Sequence, residues 1–430
     1  MPRPTITLIV IFIFFCYSKM SSIPIQLSYG LSRLQGFSST TQRILPLSTQ
    51  TFNPTQVAVF RLPVNSTVDL HSLALHFTAT TSTGVLPAQA SELIGRLEVL
   101  INGATVFGSA LLEYNSLSKL FHNLVLGQDK IQEQAVYSTG TPPATLVYAS
   151  GNSATATSGA VNLIVDNWVG FLGGSYQRYL DTSILGAVEI RITWAPNAVI
   201  TPVSAGVGAQ TFTITNTELL VETIAFSDNW FQRSLQAALS SAPLLIPFKG
   251  YAQFNYYSAA GTGNLNASYA AESLDAIYAF LRPSDYASTT ATSSLANVSD
   301  GHYFHYSSDT AVHQVRVNNA LLPQFPATTQ ECYTLMKNAV NGGGMNLGYV
   351  NVIGSQAVWN SGKFAFVQSL RYKDDSPLSK VASGLNTNQS QIPVSWNFSG
   401  ASAAPYAPTM IFETTSFLEI GAAQNIMLHI

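Results

Sequence analysis

Charged residues are scarce in this chain of 430 residues. Only 10% of them are Asp, Glu, Lys or Arg, against roughly 25% in an ordinary soluble domain. A lone monomer with so little charge is poorly protected against association, so the composition favours a protein whose flanks are covered in an assembly. The 19 basic and 22 acidic residues give a net charge of −3, and no run of Lys or Arg occurs. Nucleic-acid binding needs several cations on one face, so we expect no direct nucleic-acid binding, sequence-specific binding included.

Cysteines and catalytic motifs are equally rare. The two cysteines, Cys16 and Cys332, are far apart, which argues against a disulfide framework and fits folding in a reducing compartment. The sequence has no G-x-S-x-G elbow, no P-loop and no G-x-G-x-x-G motif. The glycines at 342–344 lack the Lys-Ser/Thr that a phosphate cradle would need.

Two short clusters come nearest to a chemical site. His302 and His305 have an H-x-x-H spacing near Asp300, but residues three apart on a strand point to opposite faces. Asp374 and Asp375 are adjacent acids in a proline-containing loop, whereas glycosidic hydrolysis needs two carboxyls across a cleft. We therefore predict no catalytic, cofactor-binding or metal-ligating residues, no cofactor and no enzymatic activity.

The tryptophans allow a different function, a carbohydrate-binding platform. Packing in a core or an interface is the favoured interpretation, because buried aromatic rings dominate such contacts. The tryptophans are Trp168, Trp194, Trp230, Trp359 and Trp396. N-glycosylation sequons occur at Asn65, Asn266, Asn297, Asn388 and Asn397. Several such tripeptides arise by chance in a chain rich in Ser and Thr, so we do not expect their ordinary use.

A long hydrophobic run is also missing. Thr5–Cys16 is apolar but shorter than the about 20 residues that a membrane span needs. Three interpretations stay open: residues 1–19 are an upstream extension with Met20 as the true start, the segment is a membrane-contacting arm, or it is a signal-peptide core without an A-x-A-like cleavage site. After Met20 three leucines at helical spacing predict a short amphipathic arm that packs on its own domain, on a neighbour or on lipid. They are Leu27, Leu31 and Leu34.

Alternation of apolar and polar residues dominates the rest of the chain and predicts strands. Val188–Trp194 is the cleanest case. Further strands are predicted at Gln56–Leu62, Val68–Ala79, Leu93–Ile101, Thr211–Ile224, Leu244–Tyr257, Ser273–Leu281, Gly301–Tyr306, Val312–Val317, Lys363–Leu370, Gln391–Phe398 and Thr415–Ile420. Long loops rich in Ser, Thr, Ala, Gly and Pro are predicted at Ser138–Ala160, Pro196–Gln210, Pro283–Val298 and Gly400–Pro408. Strands separated by such loops favour an all-β sandwich over a parallel sheet.

The segment Val312–Val340 predicts a strand, a tight turn, a proline-marked loop and a helix. Asn318 suits the turn, because Asn tolerates a left-handed backbone. Thr328 and Glu331 fit a capping box at the helix start. One helical face then carries Cys332, Leu335, Met336, Ala339 and Val340.

An earlier segment, Leu97–Val125, repeats this order of strand, Asn-led turn and helix. Three pairs of residues correspond: Asn102 with Asn318, Glu113 with Glu331, and Lys119 with Lys337. The chain is therefore predicted to contain two copies of one unit of roughly 200 residues. Coincidence between two common strand-turn-helix units stays open as the alternative, because the first copy lacks a clear capping box.

A helix is predicted to connect the two copies. Phe226–Ala242 has Ser227 or Asp228 as its cap and ends at Pro243. Its apolar stripe consists of Phe231, Leu235, Ala238 and Leu239. The predicted units are an N-terminal arm at 1–45, a first domain at 46–226, the linker helix at 227–243 and a second domain at 244–430.

Three sections of the chain resemble the double jelly-roll major capsid proteins of tailless icosahedral DNA viruses, a lineage that includes adenoviruses, membrane-containing phages, virophages and large algal viruses. The sections are Asn216–Gln236, an acidic strand running into an aromatic helix; Val315–Met336; and Phe366–Phe398, where a strand, a loop with SGLNTN and another strand follow one another. The likeness covers roughly residues 40–430. No single motif is diagnostic, and the specificity lies in the order and spacing of the sections.

The resemblance implies an all-β fold of two consecutive eight-stranded antiparallel jelly rolls, with short helices in loops and a linker helix. It further implies a major capsid protein in the virion, assembled inside the host cell as a homotrimeric, pseudo-hexagonal capsomer. The implied partners are neighbouring capsomers, minor capsid and penton proteins, and an internal membrane contacted by the N-terminal arm. The alternatives are a carbohydrate-binding jelly-roll module or a receptor-binding spike, and more remotely a glycosidase on a β-sandwich.

Overall fold

The computed structural model describes most of the chain from residue 37 onward. The described residues are 37–81, 84–87, 89–124, 159–174, 178–202, 211–226, 230–256, 262–283, 310–342, 364–371, 384–388, 392–400, 406–421 and 425–430. The N-terminal segment, the predicted strand 301–306 and most of the predicted loops lie outside them.

The first half of the chain is built mainly from strands. These are β1 (Phe37–Ile44), β2 (Val57–Arg61), β3 (Thr67–Thr81), β4 (Gly84–Val85), β5 (Ile94–Ile101), β6 (Ala104–Phe107), β7 (Gly159–Val165), β8 (Tyr179–Asp181), β9 (Val188–Trp194), β10 (Thr201–Pro202) and β11 (Phe212–Phe226). Its helices are α1 (Tyr114–Leu124), α2 (Phe171–Gly174) and α3 (Thr182–Leu185), with 3-10 turns at Ala90–Leu93 and Asn197–Val199.

The second half follows the same plan after a connecting helix, α4 (Trp230–Ser241). Its strands are β12 (Leu244–Asn255), β13 (Gly263–Ser268), β14 (Leu274–Pro283), β15 (Val312–Val317), β16 (Ala320–Thr328), β17 (Phe366–Ser369), β18 (Pro393–Ser399), β19 (Tyr406–Ile420) and β20 (Ile426–His429). A helix, α5 (Thr329–Gly342), follows β16.

Both halves have the same sheet topology. In the first half one sheet has the order β1-β11-β3-β7 with β8 beside β3, and the other has the order β2-β9-β5-β6. In the second half the orders are β12-β19-β14-β17, with β20 beside β19, and β13-β18-β15-β16. Taken in chain order, β12 to β19 therefore occupy the places of β1, β2, β3, β5, β6, β7, β9 and β11. Each half is an eight-stranded antiparallel jelly roll with additional short strands.

The turn that suggested the duplication has the same backbone conformation in both halves. Asn102 joins β5 to β6 with φ of +49°, and Asn318 joins β15 to β16 with φ of +52°. In each half a helix follows the hairpin. At the start of α5 the capping box is confirmed: the Thr328 amide donates to Glu331 Oε2 at 2.8 Å, and the Glu331 amide donates to Thr328 Oγ1 at 3.4 Å.

Several segments differ from their predicted structure. Strands begin inside predicted loops at Gly159, Thr201 and Tyr406, and the connecting helix begins at Trp230, whereas Phe226 ends β11. Two further differences have a clear physical reason. The proline-marked loop after Asn318 is the strand β16, which tolerates its prolines because it lies at the edge of its sheet. Residues 37–44, placed in the arm by the sequence analysis, form β1 and pair along their whole length with β11. Most side chains of β1 are polar and exposed, so no apolar alternation marked this strand. The limits of the two domains stay a prediction.

Each jelly roll encloses an aromatic core between its two sheets. In the first half Trp194 lies 5.0 Å from Phe77 and 6.2 Å from Phe52 between ring centroids. In the second half Trp396 lies 4.7 Å from Phe398. The side chains of α4 contrast with these, because those described are mostly exposed, with Leu235 and Leu239 only half-buried.

Candidate functional site

The contact between the two halves is the most elaborate site in the described part of the chain. Helix α1 of the first half places Phe121 5.4 Å from Tyr251 on β12 and 5.7 Å from Tyr278 on β14, between ring centroids. The short helix α2 places Phe171 5.1 Å from Phe248 in an edge-to-face arrangement. All five rings are buried. Such ring pairs stabilise by roughly 0.5–1.5 kcal/mol beyond the area they bury.

A polar network joins the halves beside these rings. The Arg282 guanidinium on β14 donates to the Glu113 carboxylate and to Ser116 Oγ, the latter at 3.0 Å. Gln253 on β12 donates from Nε2 to Glu113 at 3.0 Å, and its Oε1 accepts from the Glu113 amide at 3.0 Å. The backbone N–H of Gln253 donates to the backbone carbonyl of Ala110 at 3.0 Å. The segment that leads into α1 is therefore held by both side chains and backbone of the second half.

Gly108 allows the first half to reach this contact. It follows β6 with φ of +94°, and a Cβ atom there would lie 2.1 Å from the Leu97 carbonyl oxygen. Only glycine avoids that clash. The turn at Gly108 directs residues 109–113 towards β12, so the local backbone requirement determines where α1 begins.

A buried ionic cluster lies on the same face of the β12-β19-β14-β17 sheet as the polar network that joins the halves. This outward face is the one turned away from the core of its own jelly roll. Lys249 Nζ is 2.6 Å from Asp275 Oδ2 and 3.9 Å from Glu413 Oε1. Arg371 lies 3.5 Å from Asp275 and pairs closely with Glu413. The Tyr278 hydroxyl donates to Glu413 at 2.6 Å. Two cations and two carboxylates balance each other, which makes their burial tolerable.

The pKa values in this cluster follow from burial and from the paired charges. Burial alone would lower the pKa of Arg371, but the Glu413 and Asp275 carboxylates outweigh it and raise that pKa. Burial, reinforced by the Glu413 charge, raises the pKa of Tyr251 and of Tyr278 well above the usual value. The arginine therefore stays charged and the phenols stay neutral, as a structural ion network requires.

A second buried pair attaches α1 to its own half. Lys119 Nζ lies 3.8 Å from Glu92 Oε2, and each side chain is 3% exposed. Burial raises the pKa of Glu92, an effect that Lys119 opposes. Burial lowers the pKa of Lys119, which Glu92 opposes and Arg282 of the second half increases. Helix α1 is thus bound by charged groups on both of its sides.

His302, His305, Asp374 and Asp375 lie outside the described residues. Within the described ranges no group of three or more His, Cys, Asp or Glu side chains could hold a metal ion. Cys332 is a buried free thiol, and burial raises its pKa far above the usual range.

The tryptophans that the structure describes belong to the core. Trp168, Trp194 and Trp396 are all buried, which confirms packing as their role and removes them from any exposed carbohydrate platform. Trp359 and the side chain of Trp230 lie outside the described residues. Among the described helices, none is both long and apolar enough to cross a bilayer.

Sequence reasoning missed the residues of the contact itself. The available signal was an ionisable residue within or directly after a run of uncharged residues, as with Glu413 in MIFETTSF and Arg282 after AIYAFL. Such residues are rarely buried unless they are paired. Their charged partners lie between 42 and 169 residues away in sequence, so the pairing itself had no local signal.

No known protein-family model matches the sequence, and no curated protein has a significant sequence match. Solved structures do match. A quasi-atomic model of the PBCV-1 virus capsid has a TM-score of 0.61 at 12% identity, over 91% of this chain and 97% of that one. The Faustovirus major capsid protein has a TM-score of 0.60 at 11% identity, over 89% and 90% of the two chains. The mavirus major capsid protein has a TM-score of 0.50 at 12% identity, over 91% and 90%. The chain has the double jelly-roll fold of these proteins.

Proposed function

We propose that this chain is the major capsid protein of an icosahedral virus. It is a structural subunit without enzymatic activity, and it forms homotrimeric, pseudo-hexagonal capsomers that tile into a shell. The observation that carries the proposal is the repeated jelly roll: the same eight-stranded unit occurs twice, and a buried network joins the two copies. A doubled unit in three copies approximates six-fold packing, which suits a closed lattice. The similarity to solved capsid proteins over nine-tenths of the chain supports the same role.

The proposed partners follow from this role. Each capsomer contacts neighbouring capsomers together with minor capsid and penton proteins, and the segment before β1 faces the interior, where it contacts an internal membrane. The low charge of the chain supports burial of its flanks against other subunits. Its shortage of clustered cations supports a shell that does not bind the genome directly. The protein is then located in the virion and is assembled inside the host cell.

Sedimentation velocity of the purified full-length chain tests the proposal. We expect one dominant species with three times the 46.2 kDa mass of the chain, because the flanks of the doubled roll require burial. A dispersed monomer under every condition of salt and concentration would overturn the proposal. A glycan array separates it from a carbohydrate-binding role, since a shell protein of this kind should show no strong, selective binding.

A further inference from the structure

The two halves differ in how far their outward sheet faces are covered. In the second half β19 is buried without interruption from Pro408 to Ser416. In the first half β11 occupies the same place in the sheet, yet it alternates between buried and half-buried residues. Helix α1 and the residues before it cover the outward face of the second-half sheet, whereas β1 is exposed from Ser38 to Arg43.

The uncovered face carries a counterpart of the covered ion pair. Arg43 on β1 lies opposite Leu220 and pairs with Glu218, two residues earlier on β11, at 3.2 Å. Lys249 on β12 lies opposite Thr415 and approaches Glu413, again two residues earlier, on β19.

The two pairs therefore occupy the same position and the same face, but their burial differs. The Arg43 side chain is 65% exposed, whereas that of Lys249 is 12% exposed. The surface that is covered in the second half thus has a counterpart in the first, where the cation of its ion pair is exposed to solvent.

The helix that would cover this open face also exists in the chain. Helices α1 and α5 follow equivalent hairpins, and Glu113 aligns with Glu331, which aligns Ser116 with Thr334. Glu113 and Ser116 both contact Arg282 of the other half. Glu331 and Thr334 are exposed. The buried face of α5, with Cys332 and Met336, belongs to its own half.

We infer that α5 of one subunit lies on the outward face of β1, β11 and β3 of a second copy of this chain. The contact repeats between chains the one that α1 makes within a chain. This inference rests on the proposed trimer and adds which surfaces form it. Because the two surfaces differ, the contact is heterologous and propagates until the ring closes. With two equivalent rolls in each chain, closure of a six-roll ring takes three chains.

The sheet register indicates which residues meet. Phe280 on β14 lies opposite Thr409 and between Tyr278 and Arg282, both of which contact the first half. Aligning Glu218 with Glu413 also aligns their sheet partners, His76 and Ala276. Thr80, four residues after His76 on β3, then takes the place of Phe280; it lies opposite Thr213 and is exposed. Since Thr334 corresponds to Ser116, the inferred contact places Thr334 of one subunit near Thr80 of the next.

Cross-linking of the full-length protein tests this arrangement. We expect the double variant Thr80→Cys/Thr334→Cys, treated with a short bis-maleimide, to give covalent dimers and trimers on a denaturing gel, with the trimer as the largest product. The unsubstituted chain, which retains Cys16 and Cys332, controls for native thiols. Each single variant should give the same cross-linked products as that control. In an assembly mixed from the two single variants each chain carries only one introduced thiol, so the largest cross-linked product should be a dimer.

A charge substitution gives an independent readout. Thr80→Arg should raise the dissociation constant of the trimer about tenfold or more, as expected for an arginine forced into an interface. Val64→Arg, at an exposed apolar position of the same half, should leave association unchanged. Both positions are exposed in the chain, so both variants should fold.

The outcomes separate the inference from the proposed function. If the protein sediments as a trimer but the double variant gives no product beyond the control, the inference is wrong and the capsid role stands. Cross-linking of either single variant alone would indicate an isologous contact and would also overturn the inference. A protein that is monomeric throughout would contradict the proposed function itself.

Discussion

The Arg282 guanidinium is shared between the two halves of the molecule. Its side chain is only 3% exposed and touches Glu113, Ser116 and Thr409. A buried cation of this kind costs free energy to desolvate, and the loss of one partner leaves the other charge uncompensated. The residue therefore matters less for the strength of one ion pair than for keeping every polar group of the contact satisfied.

We expect Arg282→Ala to lower the free energy of unfolding by roughly 3 kcal/mol, at the lower end of the range for broken buried pairs, because Glu113 keeps some solvent exposure. Arg61→Ala is the matched control, since Arg61 pairs with Glu189 at 2.7 Å but is 51% exposed. That surface pair should contribute about 1 kcal/mol or less. Urea unfolding of both variants gives the comparison. Equal losses for the two arginines would contradict the role assigned to Arg282.

His313 is enclosed by aromatic rings. Its ring lies 4.7 Å from that of Phe364 and 5.9 Å from that of Trp396 between centroids. Burial lowers the pKa of His313 to about 3, whereas an unfolded chain gives histidine a pKa of about 6.5. Between those values the unfolded chain binds a proton that the folded chain does not. Stability that is present above the unfolded pKa is therefore lost as the pH falls towards the folded value.

Substitution of this histidine should flatten the acid branch of the stability curve. We expect His313→Phe to reduce the dependence of the unfolding free energy on pH by up to about 1.4 kcal/mol per pH unit below about pH 6. Urea unfolding at a series of pH values measures the slope. His71→Phe, at an exposed position, serves as the control and should keep the slope of the parent protein. Parallel curves for His313→Phe and the parent would refute the buried neutral histidine.

At the scale of elements, apolar alternation predicted strands well where one strand face is buried. Val188–Trp194 and Val312–Val317 have the predicted limits. β1 was missed because its mostly polar side chains are exposed, so that pairing with β11 rather than burial keeps it extended. β16 was missed because its prolines are typical of loops, although an edge strand tolerates them.

The Asn turns illustrate a local signal that was sufficient. Both asparagines have positive φ, a conformation that costs most other residues roughly 1–2 kcal/mol. We expect Asn318→Ala to lower the unfolding free energy by about 1 kcal/mol and Asn318→Gly to be nearly neutral, because glycine adopts positive φ without strain. Thermal or urea unfolding checks both. An alanine variant as stable as the glycine variant would show that the turn carries no such backbone requirement.

For the whole molecule, the duplication could be predicted but the docking of the two copies could not. The hairpin and helix around Asn102 and Asn318 mark the repeat within a short stretch of sequence. The contact between the halves instead joins Glu113 to Arg282 and to Gln253, residues that are far apart from it in the chain. No periodicity connects such residues, so the candidate site emerged only from the three-dimensional arrangement.

Cryo-electron microscopy of the purified, assembled protein shows how many chains surround each axis of the assembly. We expect class averages with a hexagonal outline, in which three chains place six jelly rolls around one axis and α5 of each chain lies on the first roll of the next. Separate particles of two jelly rolls, or closed rings with another number of chains, would contradict this arrangement.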